Sequence, residues 1–347
     1  MATHLPFDPD EFYSRQIALP ELGRRGQDKL RQARVAVVGL GGLGSASALY
    51  LALAGVGYLR LVDQDTVELH NLHRQILYDL DDLRYPKVEA AAQRIQRVNP
   101  NLEVEAIPEN VREGNVEEVV EGVDCVVDGL DNMETRYLVN RICAKHKVPY
   151  VFGAAIGIEG NLSVFAPPET PCLECILPGL DDSVLPTCQT RGVLGATAGI
   201  IGTMQAMETV KLLAGIGENL KGKLMVCDFR DMYFTKIDIF KRPDCSACSG
   251  EVAESPVAKE RLVWLCGQKT VNVNPPQPIG IELDEIHSRL KHHFKMLMKS
   301  SLVLVFEYNG GVEVSLFRPG RMLIKNVEDE ESALRVYKDI IEKLGAN

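Results

Sequence analysis

Three groups of residues in this 347-residue chain have types and spacings that could do chemistry. Gly39, Gly41 and Gly44 form a G-x-G-x-x-G run, with Gly42 inside it, in the stretch RVAVVGLGGLGSASALYLALAG. A turn without side chains lets backbone amides and a helix N-terminus approach a phosphate. Asp63 follows Gly44 by 19 residues, near the end of the next apolar run. A carboxylate there can accept hydrogen bonds from ribose hydroxyls. The second group is charged: Arg74 in HNLHRQ, Lys87 in YPKVEA, and Asp131 with Asn132 closing GLDN. Two cations and an acid around a nucleotide suit phosphoryl or nucleotidyl transfer, because the cations stabilise transition-state charge and the acid can hold Mg²⁺. The third group is sulfur: Cys172-x-x-Cys175 and Cys245-x-x-Cys248 are two thiol pairs at zinc-ribbon spacing.

Each group has a plainer reading. The glycine run alone also fits close strand–helix packing, and by itself it would favour an NAD(P)-dependent oxidoreductase. Hydride transfer, however, has no need of two cations and an acid around the phosphates. Arg74 and Lys87 taken singly read as solvated loop and helix-start charges. The 69 residues between the cysteine pairs exceed the usual zinc-ribbon gap, so a redox dithiol or ordinary buried thiols stay open on spacing alone. Four thiolates with no open position would make a zinc site structural. Cys188 lies in the polar stretch LPTCQTRGVLG, where nearby Arg191 would favour a thiolate. It also reads as a loop thiol without a role. Cys125, Cys143, Cys227 and Cys266 sit in apolar runs and read as core.

These residues need elements to position them. Residues 10–32 read as helical, broken at Pro20 and Gly23. An apolar strand then enters the glycine turn and a helix, YLRLVDQD (58–65) is a strand ending in carboxylates, and 64–85 is a long polar connection of the kind that often carries function. A helix from Lys87, strands at 102–107 and 124–132, a helix at 133–147 and a strand at VPYVFGAAIG continue the alternation. LSVFAP, a small-residue helix near 197–214 and strands near 223–228 and 232–238 follow. The β-α-β alternation predicts an α/β fold with a doubly wound, Rossmann-like, mostly parallel sheet. EVAESPVAKE (251–260) has linker composition. It would separate residues 1–250 from a small α/β unit at 261–347, read as β(262–266), β(270–273), α(282–294), β(302–307), β(312–317), β(321–325) and α(330–343). Met296 and Met298 read as core or gap-filling residues near its first helix.

Composition narrows the classes further. Lys and Arg number 38 against 48 Asp and Glu, a balance of −10 that should repel nucleic acid and anionic membranes. The uncharged stretch Val35–Leu59 holds six glycines, which argues against a bilayer span. No secretory signal is visible at the N-terminus. Nine cysteines without such a signal point to a reducing, cytoplasmic setting and a metal or catalytic use.

SRQI (14–17), GLGGLG (39–44), LVDQDTVELHNLHRQ (61–75), PKVEAA (86–91), GLDN (129–132) and CLEC (172–175) together resemble the MoeB/ThiF adenylyltransferases, bacterial relatives of ubiquitin-activating enzymes. The resemblance runs in order over roughly residues 8–250. It implies ATP-dependent adenylation of the C-terminal Gly-Gly carboxylate of a ubiquitin-like sulfur carrier protein, giving acyl-adenylate and pyrophosphate. It also implies a homodimer with Arg15 reaching the partner subunit's nucleotide, and a sulfurtransferase or cysteine desulfurase as sulfur donor. Carried onto this sequence, Gly39, Gly41, Gly42 and Gly44 back the phosphates, and Asp63 with Asp65 lies at the ribose. Asn71, Arg74 and Lys87 meet phosphates and developing charge, and Asp131 with Asn132 organises Mg²⁺. His70 falls within the nucleotide loop, where it and His73 have positioning or exposed readings. The same family carries both cysteine pairs on Zn²⁺. In ThiF and the ubiquitin-activating relatives, a cysteine near Cys188 takes over the acyl group or forms a persulfide. Arg191 and Ala196 depart from the small residue and proline more frequent there. The 261–347 unit lacks the active-site loop of a rhodanese and resembles a small extension on some bacterial relatives. Pathway (molybdopterin, thiamin, cysteine or tRNA thiolation) is left open, as are a nicotinamide oxidoreductase and a catalytically silent carrier-binding scaffold.

Overall fold

The computed structural model describes residues 7–185, 190–249, 262–264, 269–275 and 279–344. Its first sheet has eight strands: β1 (Arg34–Val38), β2 (Tyr58–Val62), β3 (Glu103–Ile107), β4 (Cys125–Asp128), β5 (Tyr150–Ile156), β6 (Glu159–Phe165), β7 (Lys223–Asp228) and β8 (Tyr233–Asp238). The spatial order is β3-β2-β1-β4-β5-β6-β7-β8. Pairings from β3 through to β5 are parallel, and those from β5 to β8 are antiparallel. Every connection in the parallel half carries a helix, because a parallel connection must cross a face; in the antiparallel half β5–β6 and β7–β8 are short hairpins, while the long β6–β7 connection carries helix Gly195–Ala214.

The unbroken apolar run of β1 follows from its position between β2 and β4, covered on both faces. Val35 and Val37 join Leu51, Leu59 and Ile95 on one side. Ala36 and Val38 join Val62, Val126 and Met133 on the other. Helices Gly42–Ala54, Lys87–Val98 and Gly195–Ala214 cover the first face, and Val116–Val120 and Met133–His146 the second.

A second sheet, antiparallel throughout, runs in the order β11-β12-β13-β14-β10-β9. Its strands are β9 (Leu262–Trp264), β10 (Thr270–Val273), β11 (Lys295–Lys299), β12 (Val303–Glu307), β13 (Glu313–Phe317) and β14 (Met322–Lys325). Helices Leu283–Leu290 and Glu330–Leu344 bury the face bearing Leu304, Phe306, Val314 and Ile324. The opposite face, with Val303, Val305, Phe317 and Leu323, is buried as well.

The sequence reading differs from this structure in several places: the strand expected over 124–132 ends at Asp128, and the short helices Leu173–Ile176 and Ser246–Ser249 are absent from it. The helix expected over 282–294 ends at Leu290 and passes into a turn in which the amides of His293 and Phe294 both donate to the Leu290 carbonyl at 2.9 Å. Residues 295–299 then form edge strand β11, so Met296 and Met298 lie on a strand. The short helix Val116–Val120 is also absent from the sequence reading. Among the described residues, no helix is long and apolar enough to cross a membrane.

Candidate functional site

The glycine turn leaves β1 at the centre of the parallel half, with the ends of β2 and β4 on either side. Gly39 has φ of +86°, and a Cβ there would lie 2.5 Å from the Gly129 carbonyl oxygen. Gly44 packs so closely that a Cβ would overlap the Gly39 carbonyl. These two glycines are demanded by geometry. Gly41 is different: a Cβ there would meet nothing nearer than 3.9 Å. It is the N-cap of helix Gly42–Ala54, with no side chain capping the first amides. The free helix N-terminus and the open space above Gly41 suit an anionic group.

β2 ends at Val62 and presents two carboxylates. One oxygen of Asp63 accepts from the Leu40 amide at 2.7 Å, and the other accepts from the Asp65 amide at 2.8 Å. These bonds tie the β2 end to the glycine turn and leave lone pairs on both oxygens for hydroxyl donors. Lys87 is 5% exposed, and its Nζ donates to Asp65 Oδ2 at 2.8 Å. Its amide donates to the Asp65 carbonyl at 2.9 Å. Burial alone would depress the Lys87 ammonium, but Asp63, Asp65 and Asp131 outweigh it and hold the group firmly charged. Burial raises Asp63, while the cations Lys87, Lys325 and Arg321 overcome burial at Asp65 and lower it.

Arg74 is half-buried beside the same turn, since a Cβ on Gly42 would lie 3.7 Å from Arg74 Cγ. Its Nη1 donates to the His70 carbonyl at 2.7 Å and lies 3.0 Å from His73 Nε2. Asn71 is buried and accepts from the Glu68 amide. His70 and His73 are exposed, with His70 Nδ1 3.2 Å from Glu68. Asp131 is exposed beyond β4, and Asn132 donates to it while capping helix Met133–His146 through the Thr135 amide. Both lie on the loop that Arg136 supports: its guanidinium donates to Asp128, Leu130 O and Gly153 O.

Arg15 stands apart from this group. It is exposed on the short helix Ser14–Ile17, whose Gln16 donates to Ala54 O at the far end of helix Gly42–Ala54. Thirteen helical residues put that end about 20 Å from the glycine turn.

The four paired cysteines come together from loops after β6 and β8, and their sulfurs all lie within 4.8 Å of one another. Neighbouring Sγ atoms are 3.4–3.9 Å apart. Zn–S bonds of about 2.3 Å on a tetrahedron require edges of roughly 3.8 Å, so the donor set fits zinc. The Arg242 amide donates to Cys175 Sγ at 3.5 Å. Asn140 and Arg141 of helix Met133–His146 hold the Cys172–Cys175 turn through Leu173 N and Glu174. Cys125, Cys143 and Cys227 are buried, as expected of core thiols. Cys188 and Cys266 lie outside the described residues. Arg191, whose sequence position suggested a thiolate partner, is engaged by both oxygens of Glu159 at 3.0 and 3.1 Å.

Four contributors escape a sequence reading. Gln75 is 2% exposed, its amide is the nearest side chain to Gly41, and its Oε1 has no partner among the described residues. Arg136 is embedded in a helix whose pattern shows nothing unusual. Arg321 and Lys325 reach the β2 loop from the second sheet, more than 250 residues away in sequence. Their only sequence signal is a cation in a strand hairpin.

Comparison with known proteins places this geometry. The family model described as "ThiF family" matches residues 13–247. A SAMP-activating enzyme E1 of Haloferax volcanii is 44% identical over 237 residues, covering 68% of this chain and 87% of the relative. A sulfur carrier protein adenylyltransferase of Thermus thermophilus is 40% identical over 245 residues, covering 69% and 90%. The adenylyltransferase and sulfurtransferase MOCS3 of Drosophila sechellia is 37% identical over 309 residues, covering 87% and 67%. Among solved structures, E. coli MccB with MccA-N7isoASN superposes with a TM-score of 0.62 at 24% identity, covering 69% and 76%. That last likeness bears on the fold alone. With a family match across most of its length and relatives covered almost end to end, the chain belongs to the ThiF family.

Proposed function

We propose that this chain is an ATP-dependent adenylyltransferase for a ubiquitin-like sulfur carrier ending in Gly-Gly. The observation that carries the reading is the buried Lys87, held by Asp65 at the end of β2 beside the uncapped N-terminus of helix Gly42–Ala54. Relatives named for adenylation of sulfur carriers support it. The same residues oppose the oxidoreductase reading, since a hydride transfer draws nothing from a buried ammonium at the phosphates.

The chemistry follows from the charges. A carboxylate is ionised at pH 7 and needs no general base. One of its oxygens attacks the α-phosphorus of ATP, the bond from that phosphorus to the bridging oxygen breaks, and pyrophosphate leaves with the electron pair. The amides at Gly41 and Gly42, the Lys87 ammonium and the Arg74 guanidinium meet the negative charge that builds on the phosphates. Asp63, with lone pairs free, accepts from the ribose. Mg²⁺ would neutralise phosphate charge, and Asp131 with Asn132 is the oxygen-bearing group suited to it. Arg15, exposed on the short helix whose Gln16 docks at the far end of helix Gly42–Ala54, completes the site of the other subunit of a homodimer. Cys172, Cys175, Cys245 and Cys248 would hold a structural zinc.

We further place the adenylation unit at 1–250 and the linker at 251–260. Residues 261–347 form the second unit, and the protein works in the cytoplasm with a separate sulfur donor. Intact-mass measurement of candidate carriers after incubation with enzyme and ATP·Mg²⁺ tests the activity. A carrier gaining an adenylyl group supports it. No mass change on any Gly-Gly-ended carrier, with NAD(H) bound instead, would overturn it.

A further inference from the structure

Among the described residues, polar contacts from the second sheet to the first reach the β2 loop with the nucleotide-site carboxylates, the start of the Lys87 helix and the loop after β3. Arg321, on the turn between β13 and β14, is 2% exposed. Its Nη2 donates to Gln64 O and Pro108 O, each at 2.9 Å, and its Nη1 donates to Asn272 Oδ1 at 2.9 Å. Gln64 lies between Asp63 and Asp65, and Pro108 follows the last residue of β3, so one guanidinium staples two strand ends together. The Phe317 ring covers its other surface, 3.7 Å from the guanidinium carbon.

Lys325, the last residue of β14, makes a second bridge. Its Nζ lies 2.9 Å from Thr66 Oγ1 and 2.5 Å from Glu68 Oε1, with Glu313 at 3.9 Å. Thr66 pairs with Pro86, the residue before Lys87. Two more contacts flank the same helix start: Arg84 with Glu313 at 3.0 Å, and Glu89 with the hydroxyls of Ser300 and Ser301. Most of these contacts fall within 64–68 or 84–89; the others, from Arg321 to Pro108 O and from Asn272 to Asn110 Oδ1 at 3.3 Å, meet the loop after β3.

Charge gives the arrangement a purpose. Asp63 and Asp65 against Lys87 leave an excess negative charge where a triphosphate must bind. Arg321, whose hydrogen-bond partners are neutral oxygens, offsets it, and its burial means that solvent ions screen it little; Lys325 adds to the same field while shared with Glu68 and Glu313. Burial pushes the Arg321 guanidinium down to about 10, so it stays a cation at neutral pH.

We propose that the second unit is a built-in clamp on the nucleotide site, with Arg321 and Lys325 as positioning residues that set the affinity for ATP. The proposal rests on the adenylation reading above. Neither residue touches the nucleotide. They act by holding the carboxylates, Thr66 and the start of the Lys87 helix in place and by balancing their charge.

The test uses full-length protein and titrates ATP·Mg²⁺ and adenosine separately by calorimetry, with melting temperature and zinc content measured alongside. Arg321→Met should weaken ATP about 10- to 100-fold, the scale of hydrogen bonds from a charged donor. Lys325→Met should weaken it several-fold, and Arg321→Lys should recover part of the loss. Adenosine should lose less than ATP in each case, with zinc unchanged. Should Arg321→Met fail to fold, the partly exposed Lys325 and the Arg321→Lys variant decide. Wild-type ATP affinity in these variants overturns the clamp, as does an equal loss for both ligands that tracks melting temperature. A wild-type protein that binds no ATP would instead overturn the adenylation reading itself.

Discussion

Replacing Lys87 by Met tests the core of the site, because it removes the charge and keeps most of the volume. The Lys87 side chain is 6% exposed and its partner Asp65 is 36% exposed. Removing one partner of a fully buried pair costs about 3–5 kcal/mol. Solvent reaching Asp65 screens the abandoned carboxylates, so about 2–3 kcal/mol of stability is expected here. Asp65 lies below the ordinary carboxylate range in the intact protein, so its pairing contributes above that range and is lost as pH falls through its folded value. Lys87 lies above its ordinary value, so its contribution is constant from neutral to acid pH. In the variant, Asp63 and Asp65 have lost their chief cation and must rise. Lowering the pH from 7 to about 4 protonates them and relieves their repulsion. The stability gap between wild type and variant should therefore shrink with acid. Catalysis should fall by about 10²- to 10³-fold, the cost of one preorganised charge-stabilising group. Urea unfolding at both pH values, together with carrier-dependent pyrophosphate exchange into ATP, measures both effects. Wild-type exchange, or a gap that widens on acidification, would refute the reasoning.

Elemental analysis should find one zinc per chain. Cys172→Ser or Cys245→Ser should lower both zinc content and melting temperature, since four-thiolate sites are worth about 10–16 kcal/mol in apparent terms; a stable, fully active zinc-free protein would exclude the site. Arg15→Ala and Lys87→Ala should each be inactive alone. Mixed and allowed to exchange subunits, they should recover roughly a quarter of wild-type activity, because each heterodimer of a two-fold dimer keeps one intact site. No recovery after confirmed exchange would mean that Arg15 does not act in trans. Cys188→Ala should still adenylate its carrier but form no dithiothreitol-sensitive conjugate on non-reducing gels. A wild-type enzyme that never shows such a conjugate would assign the sulfur step to a separate donor.

Much of this site is legible in the sequence because it is local. The left-handed φ of Gly39 and the contact of Gly44 with the Gly39 carbonyl arise within one strand–turn–helix unit, and Asp63 and Asp131 lie just past strands that the apolar pattern already delimits. The cysteine pairs are equally visible, although only the fold decides that loops after β6 and β8 meet, with all four sulfurs within 4.8 Å. Tertiary structure alone supplied the rest. Asp65 belongs to Lys87 because the helix start folds back onto the β2 loop, a pairing across 22 residues that no periodicity encodes. Arg136 is an ordinary polar residue until burial makes it donate to Asp128, Leu130 O and Gly153 O, and Gln75 is one until the fold buries it beside Gly41. Arg321 is the extreme case: its charge is plain in the sequence, but its partners, Gln64 and Pro108, are backbone carbonyls in another sheet. Carbonyls are the same in every residue, so a sequence cannot say which of them a distant cation will reach.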